Sequence, residues 1–255
     1  TATAIAFGTE IAVTLPESAD PQIFDEVFAE IARLEAIFTL FDPQSPLQRL
    51  NAAGRLTKPP AELVEALEIC DRVFYLTEGA FDPTVQPLWE LYERHFAENP
   101  ADTEGPTKEA IAATRSRLGW EKVSISAEEI RFAEPGMAMT LNGVAPGYTA
   151  DRIVALLREK GVEHALIDTG EFRALGSRPD GTLWQVAIRA GEEIVDHVEL
   201  VNRALATSAG NATAFDLEQQ FHHLFHPNRD RFQSAMRTIC VEAPSGALAD
   251  ALATA

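Results

Sequence analysis

The sequence predicts an α+β fold of two packed lobes, in which mainly antiparallel strands carry flanking helices. Three observations predict it. Two stretches, 20–38 and 59–76, repeat apolar residues at helical spacings of three and four. Between 165 and 208, short alternating segments follow one another with turn residues between them, the pattern of a strand meander. The 255 residues are 46% hydrophobic, which allows a substantial core in one large domain or two lobes.

Ala4 to Leu15 alternates loosely and reads as an opening strand kinked at Gly8. Asp20 to Phe38 is an amphipathic helix. Ile23, Val27, Ile31, Leu34 and Phe38 form its stripe, and Pro21 follows an Asp20 cap. Pro59 to Leu76 is the second long helix, with Leu63, Leu67, Cys70, Val73 and Phe74 toward the core, and Gly79 suits its C-terminal end. Asp82 precedes Pro83 and is held extended, so its carboxylate is available to accept hydrogen bonds from a ligand hydroxyl or amino group. An Asx turn closed on its own backbone is the plainer reading. Val85 to Phe96 is apolar and helical. Asn99 to Thr107, with Pro100, Gly105 and Pro106, is a polar surface loop and the candidate boundary between lobes. A helix over Glu109–Leu118 and a hairpin of Lys122–Ser126 with Glu129–Phe132 bring the chain to Thr140.

The stretch Thr140–Asp151 then organises the rest. Thr140 and Leu141 end an apolar run, Asn142, Gly143, Pro146 and Gly147 break it, and a helix runs from Tyr148 to Lys160-Gly161. Ala150, Ile153, Val154 and Leu157 form its stripe, and His164–Asp168 follows as a buried strand. A glycine-bearing loop of this kind can turn backbone carbonyls and amides toward a ligand, although an ordinary strand-to-helix connection has the same pattern. Phe172–Leu175, Trp184–Arg189, His197–Val201 and Ala204–Ser208 read as strands, with a turn at Arg178–Gly181. Ala235–Val241 is a last strand, and the chain from Gly246 onward is helical.

A formal net charge of −18, from 39 acidic and 21 basic residues, argues against a nucleic-acid binder. Such a surface repels phosphate ligands unless a divalent cation or helix N-termini offset it. No stretch approaches the roughly 18 apolar residues of a membrane span. Cys70 and Cys240 lie in apolar patterns and read as small buried hydrophobes rather than a disulfide or metal pair.

Two clusters carry chemistry. Asp250 and Thr254 are four apart in a helical sequence, so carboxylate and hydroxyl share a face, and hard oxygens of this type suit Mg²⁺. Read alone, the pair is equally a solvated helix face. His222, His223 and His226 include a candidate general base, because imidazole titrates near working pH. Their spacing does not make a closed zinc set.

Taken together, Glu78–Thr84, Thr140–Asp151, Ala206–Ala209, His222–Pro227 and Ala249–Thr254 resemble the FAD:protein FMN transferases, the ApbE-type flavin transferases. The resemblance runs in order over nearly the whole chain. Thr-Leu-Asn-Gly-Val-Ala is also similar to the branch that holds the NosX-type accessory proteins of nitrous oxide reductase. The resemblance implies a single ApbE-like catalytic domain over residues 1–255 and Mg²⁺-dependent transfer of FMN from FAD, with release of AMP. The acceptor would be a Ser or Thr hydroxyl of a partner flavoprotein, free or held at a membrane. It implies metal ligands Asp250, Thr254 and the carbonyl of Gly143, with Ala145 as the alternative, and His223 as general base. Ala80-Phe81-Asp82 matches the FAD-binding triplet, and Phe7, Phe41, Thr140, Pro146 and Leu224 fall at other cofactor contacts.

Phe7 is equally a core aromatic. Phe41 stands where tyrosine is usual and keeps the stacking face without the hydroxyl. Thr207-Ser208 falls near the active site of relatives. Four positions depart from the pattern: Thr140 for Asp, Pro146 for Lys, Glu171 for the second Gly of Gly-Gly, and His226 for Asp. Export to the bacterial periplasm is implied, and a chain opening at Thr1 is expected to be a processed product. Thr254, one residue before Ala255, is expected to fray. Two other readings stay open: an FAD pyrophosphatase giving FMN and AMP, and a non-catalytic FAD-binding assembly protein.

Overall fold

The computed structural model describes residues 1–190, 193–210, 213–227 and 238–255. Its first elements are β1 (Ala2–Ala6), β2 (Thr9–Thr14), α1 (Gln22–Phe38), α2 (Pro46–Ala53), β3 (Arg55–Thr57) and α3 (Ala61–Leu76). Next come α4 (Gln86–Glu98), α5 (Lys108–Arg115), β4 (Val123–Ile125), β5 (Glu129–Phe132), α6 (Ala145–Glu159) and β6 (Ala165–Asp168). The chain closes with β7 (Phe172–Leu175), β8 (Trp184–Ala190), β9 (Glu193–Leu200), β10 (Ala204–Ala209), β11 (Thr238–Ala243) and α7 (Gly246–Thr254). The class is α+β, as predicted. Of the expected strand Ala235–Val241, residues 235–237 lie outside the described residues.

Thr1–Ala36, Asn142–Thr207 and Cys240–Ala253 form one unit, and Ile37–Leu141, Ser208–Ile239 and Thr254–Ala255 the other. The loop at 99–107 lies wholly inside the second unit, and the chain changes units elsewhere.

In the first unit the strands follow the order β1-β2-β6-β7-β10-β11, with antiparallel pairing from β1 through β10. Side chains alternate across this sheet. Ile11, Val13 and Ile167 pack against Val27 and Ile31 of α1 and Ile153 and Leu157 of α6. On the other face Leu166, Ala174 and Leu205 meet Trp184, Val186 and Leu200 of the β8–β9 hairpin. Helix α7 sets Ala249 and Ala253 against Ala204, Ala206 and Ala243. Small residues let this helix lie close to its neighbours.

Two expected elements differ. Residues 4–15 form a hairpin rather than one kinked strand, with Ala6 paired to Thr9 around a two-residue turn. Phe7 and Gly8 both have positive φ, 52° and 75°, as the favoured hairpin turn requires. The Glu35 carboxylate accepts from the Phe7 amide at 2.6 Å and helps hold that conformation. The second difference is at the organising stretch. No strand ends at Thr140–Leu141, and helix α6 starts at Ala145 rather than Tyr148. Pro146 falls in its first turn, where a missing N–H costs nothing.

In the second unit the run before α6 finds other partners than a strand. The Asn51 amide donates to the Met139 carbonyl and accepts from the Met139 N–H, both at 2.9 Å. One side chain thus stands in for a neighbouring strand. The Thr140 N–H then donates to the Pro83 carbonyl at 2.9 Å. A separate three-stranded sheet, ordered β3-β5-β4, lies in this unit. Leu88, Tyr92 and Phe96 of α4 pack with Phe215, Phe221 and Phe225. These aromatics bracket the histidine segment and fix it to a helix.

Candidate functional site

The first unit carries an oxygen-rich site at the start of α6. Asp250 has only 4% of its surface exposed, so it is not on a solvated helix face. Its Oδ2 accepts from the Gly147 N–H at 3.1 Å, and among the described residues no group donates to Oδ1. Burial pushes its carboxyl well above the usual range, against the lowering effect of the Gly147 amide. Gly143 is half-buried in the turn before α6, Pro146 is half-buried, and Ala145 is buried. Helix α7 continues through Thr254, which is half-buried one turn beyond Asp250.

Position here depends on near contact of two backbones. A Cβ on Gly147 would lie 2.3 Å from the Gly246 carbonyl oxygen, and one on Gly246 would lie 2.4 Å from that of Gly147. Neither obstacle is a side chain that can turn aside. Gly147→Ala is expected to cost about 3 kcal/mol in urea denaturation, because overpacking against backbone forces the elements apart. An unchanged midpoint would mean that the helices separate freely.

Two residues that sequence reasoning did not select complete this site. Asp151, one turn along α6 from Gly147, accepts from the Gly246 and Ala247 amides at 2.9 and 3.0 Å and from Arg173 Nε at 2.8 Å. It therefore caps α7 from another helix. Glu171, noted only as a departure, has its Oε2 on the Thr207 N–H at 2.9 Å. Burial, then the charges of Asp250 and Asp168, push its carboxyl far above the usual range. The Thr207 hydroxyl itself donates to Cys240 Sγ at 3.3 Å.

The residues present fit a divalent cation. Asp250 is a buried carboxylate with one oxygen that no described residue donates to, and a hard oxygen of that kind suits such an ion. No ion pair neutralises Asp250 or Glu171 among the described residues. Within the same set, no three His, Cys, Asp or Glu side chains converge to hold a metal. A cation here would draw on carbonyl and hydroxyl oxygen as well.

The second unit contains a cleft of about 560 Å³ lined by Tyr75, Gly79, Asp82, Arg115 and Gly119, among others. Asp82 is extended at φ −139° and ψ 106°, as the following proline requires. Its Oδ1 accepts from the Thr84 amide at 2.8 Å and the Thr84 hydroxyl at 2.6 Å. The Asx-type turn is thus present, on the wall of a cleft. Burial raises the Asp82 carboxyl above its ordinary range, more than the Thr84 hydrogen bonds lower it. Ala80 is half-buried, while Phe81 is 4% exposed and belongs to the core. Phe41 is 93% exposed, and Leu224 is half-buried. In the first unit, Phe7 packs against the helix-side core.

His223 also lies in the second unit. Its Nδ1 is 3.1 Å from the Thr213 carbonyl, and its own amide donates to the same oxygen at 3.1 Å. A carbonyl only accepts, so Nδ1 carries the proton and Nε2 keeps its lone pair. Burial lowers the imidazole pKa below 6.5, outweighing the raising effect of the Thr213 carbonyl. The ring meets Trp89 edge-on at 6.2 Å. His222 is buried and its Nδ1 accepts from the Leu224 amide at 3.3 Å, while His226 is half-buried.

Comparison with known proteins places these features in a lineage. A family model described as the ApbE family matches residues 7–255. The FAD:protein FMN transferase of Haemophilus influenzae is 26% identical over 245 residues, 90% of this chain and 70% of that protein. That of Chlamydia pneumoniae is 26% identical over 260 residues, covering 98% and 79%. The apo crystal structure of Pseudomonas stutzeri flavinyl transferase ApbE superposes with a TM-score of 0.84 at 26% identity, covering 99% of this chain and 81% of that one.

Proposed function

The chain belongs to the ApbE family, and on that footing we propose that it is a flavin transferase that moves FMN from FAD onto a protein hydroxyl. The observation that carries the reading is the family match over nearly the whole chain, joined to the buried Asp250 and the base-competent His223. The acceptor Ser or Thr oxygen attacks the FMN phosphorus, the pyrophosphate bond to AMP breaks, and the hydroxyl proton passes to Nε2 of His223. A Thr213-bound Nδ1 fixes the tautomer that this step needs. The Asp82 cleft supplies acceptors for hydroxyl or amino groups of FAD. Asp250, Thr254 and the Gly143 carbonyl would hold Mg²⁺, which when bound neutralises pyrophosphate charge and polarises the bond to be broken. The Gly147 amide fixes the Asp250 carboxylate for that task. Because a protein hydroxyl must be positioned where water need not be, the enzyme requires a docked acceptor flavoprotein. The same resemblance supports a periplasmic site of action, and the Thr140–Ala145 form supports a place in nitrous oxide reductase maturation.

Intact-mass measurement tests the function. The chain, FAD and Mg²⁺ are mixed with an acceptor domain carrying a target Thr, which is expected to gain one FMN. Free FMN beside an unmodified acceptor would replace the proposal with an FAD pyrophosphatase. Intact FAD would leave a binding protein.

Two further outcomes concern His223. His223→Gln is expected to slow transfer roughly 10²- to 10⁴-fold, the usual range for a lost general base. In the unaltered chain, transfer rises with pH as the imidazole loses its proton. Because burial lowers that pKa, the acidic limb has its midpoint below 6.5 and the rate is level at neutral pH. A midpoint above 6.5, or a limb that persists in His223→Gln, would assign the proton transfer to another group.

A further inference from the structure

Glu171 has no place in the ligand set of Asp250, Thr254 and a loop carbonyl. Its position is nevertheless built into the same corner of the first unit. The Thr169 hydroxyl donates to the Pro146 carbonyl at 2.9 Å, and the Thr169 amide to the Glu171 carbonyl at 3.1 Å. The turn that carries Glu171 is thereby tied to the first turn of α6, whose Gly147 amide holds Asp250. The Glu171 side chain is then aimed by the Thr207 amide, which occupies Oε2 alone. Among the described residues no group donates to its Oε1.

Asp250 and Glu171 thus share one pattern. Each has one oxygen held by a backbone N–H and one left over; Asp250 is buried and Glu171 half-buried. The charge of Asp250 bears directly on Glu171, and that of Asp168 adds to it. No Lys, Arg or His forms an ion pair with any of the three among the described residues. A buried carboxylate and a half-buried one in the same corner, without a counter-charge among the described residues, repel one another, and a divalent cation relieves this more fully than any neutral partner.

We propose that Glu171 is a further ligand, direct or through one water, of the divalent cation held by Asp250, making this a two-carboxylate site. The proposal rests on the metal-dependent reading above. Its consequence is that the chain binds a divalent cation before FAD arrives, since the second carboxylate supplies charge that would otherwise come from the substrate phosphates.

Mn²⁺ binding followed by electron paramagnetic resonance, with the full chain and no FAD, tests this without relying on turnover. Glu171→Gln keeps an oxygen for the Thr207 amide and removes only the charge, and Glu171→Gly removes the side chain. Both are expected to weaken Mn²⁺ binding at least tenfold, and circular dichroism is expected to match the unaltered chain. Asp250→Asn is expected to weaken it at least as much. If Asp250→Asn loses Mn²⁺ and Glu171→Gln binds it normally, Glu171 is no ligand and the metal reading stands. If both bind it normally, the metal reading fails and this inference fails with it. An unaltered chain that takes up no Mn²⁺ until FAD is added also overturns the two-carboxylate site.

Discussion

Asp250→Ala is expected to slow FMN transfer by ~10³-fold or more, because metal-held charge stabilisation is worth several kcal/mol and each 1.36 kcal/mol is tenfold in rate. The substitution removes the only carboxylate on α7 and the acceptor of the Gly147 amide. The space it vacates is small, so the fold should survive. Asp250→Asn separates charge from shape. It retains an oxygen for Gly147 and should be nearly as slow as the alanine variant. Rates come from the mass shift of the acceptor over time. A rate within tenfold of the unaltered chain for either variant would remove Asp250 from the reaction. Normal transfer by Asn but not by Ala would show that the residue acts through packing.

Asp151→Ala is expected to be the most damaging single change to stability, at about 4 kcal/mol, because a buried cation loses its partner. Arg173 is 6% exposed, and among the described residues Asp151 is its one side-chain partner. The same carboxylate satisfies two amides at the start of α7, where a lost cap adds roughly 1 kcal/mol. For a chain of this size the melting temperature should fall by roughly 8–16 °C. Asp151→Asn keeps an acceptor but loses the charge and should fall between. Transfer should drop in both variants, since Asp250 sits one turn into the helix that Asp151 caps. A loss below about 1 kcal/mol would mean that Arg173 finds another partner or water.

Much of the fold was legible because the signals are local. The stripe from Ile23 to Phe38 became α1, and that from Leu63 to Phe74 became α3 with those side chains buried. The hairpin at 123–132 and the turn closed by Gly181 on Arg178 followed from alternation and turn residues. Where reading failed, the missing information was a backbone angle or a distant partner. The angle of Phe7 is decided by a two-residue turn that a phenylalanine does not advertise. The run at Met139 is paired by Asn51, 88 residues earlier, so the apolar run ending at Thr140–Leu141 forms no strand.

The candidate site divides in the same way. Residue type and spacing alone determined that Asp250 and Thr254 share a helix face, that Asp82 is extended before a proline, and that the cluster His222, His223 and His226 includes a candidate base. These are properties of a few consecutive residues, fixed by helical period and by proline sterics. Tertiary structure alone decided that Asp250 is buried, that Asp151 caps a helix beginning 95 residues later, and that Glu171 is held by the Thr207 amide. A sequence records which groups a chain carries. Whether a carboxylate meets water, an amide or another carboxylate depends on how closely two backbones pack, here on Gly147 against Gly246, and no local pattern encodes that distance.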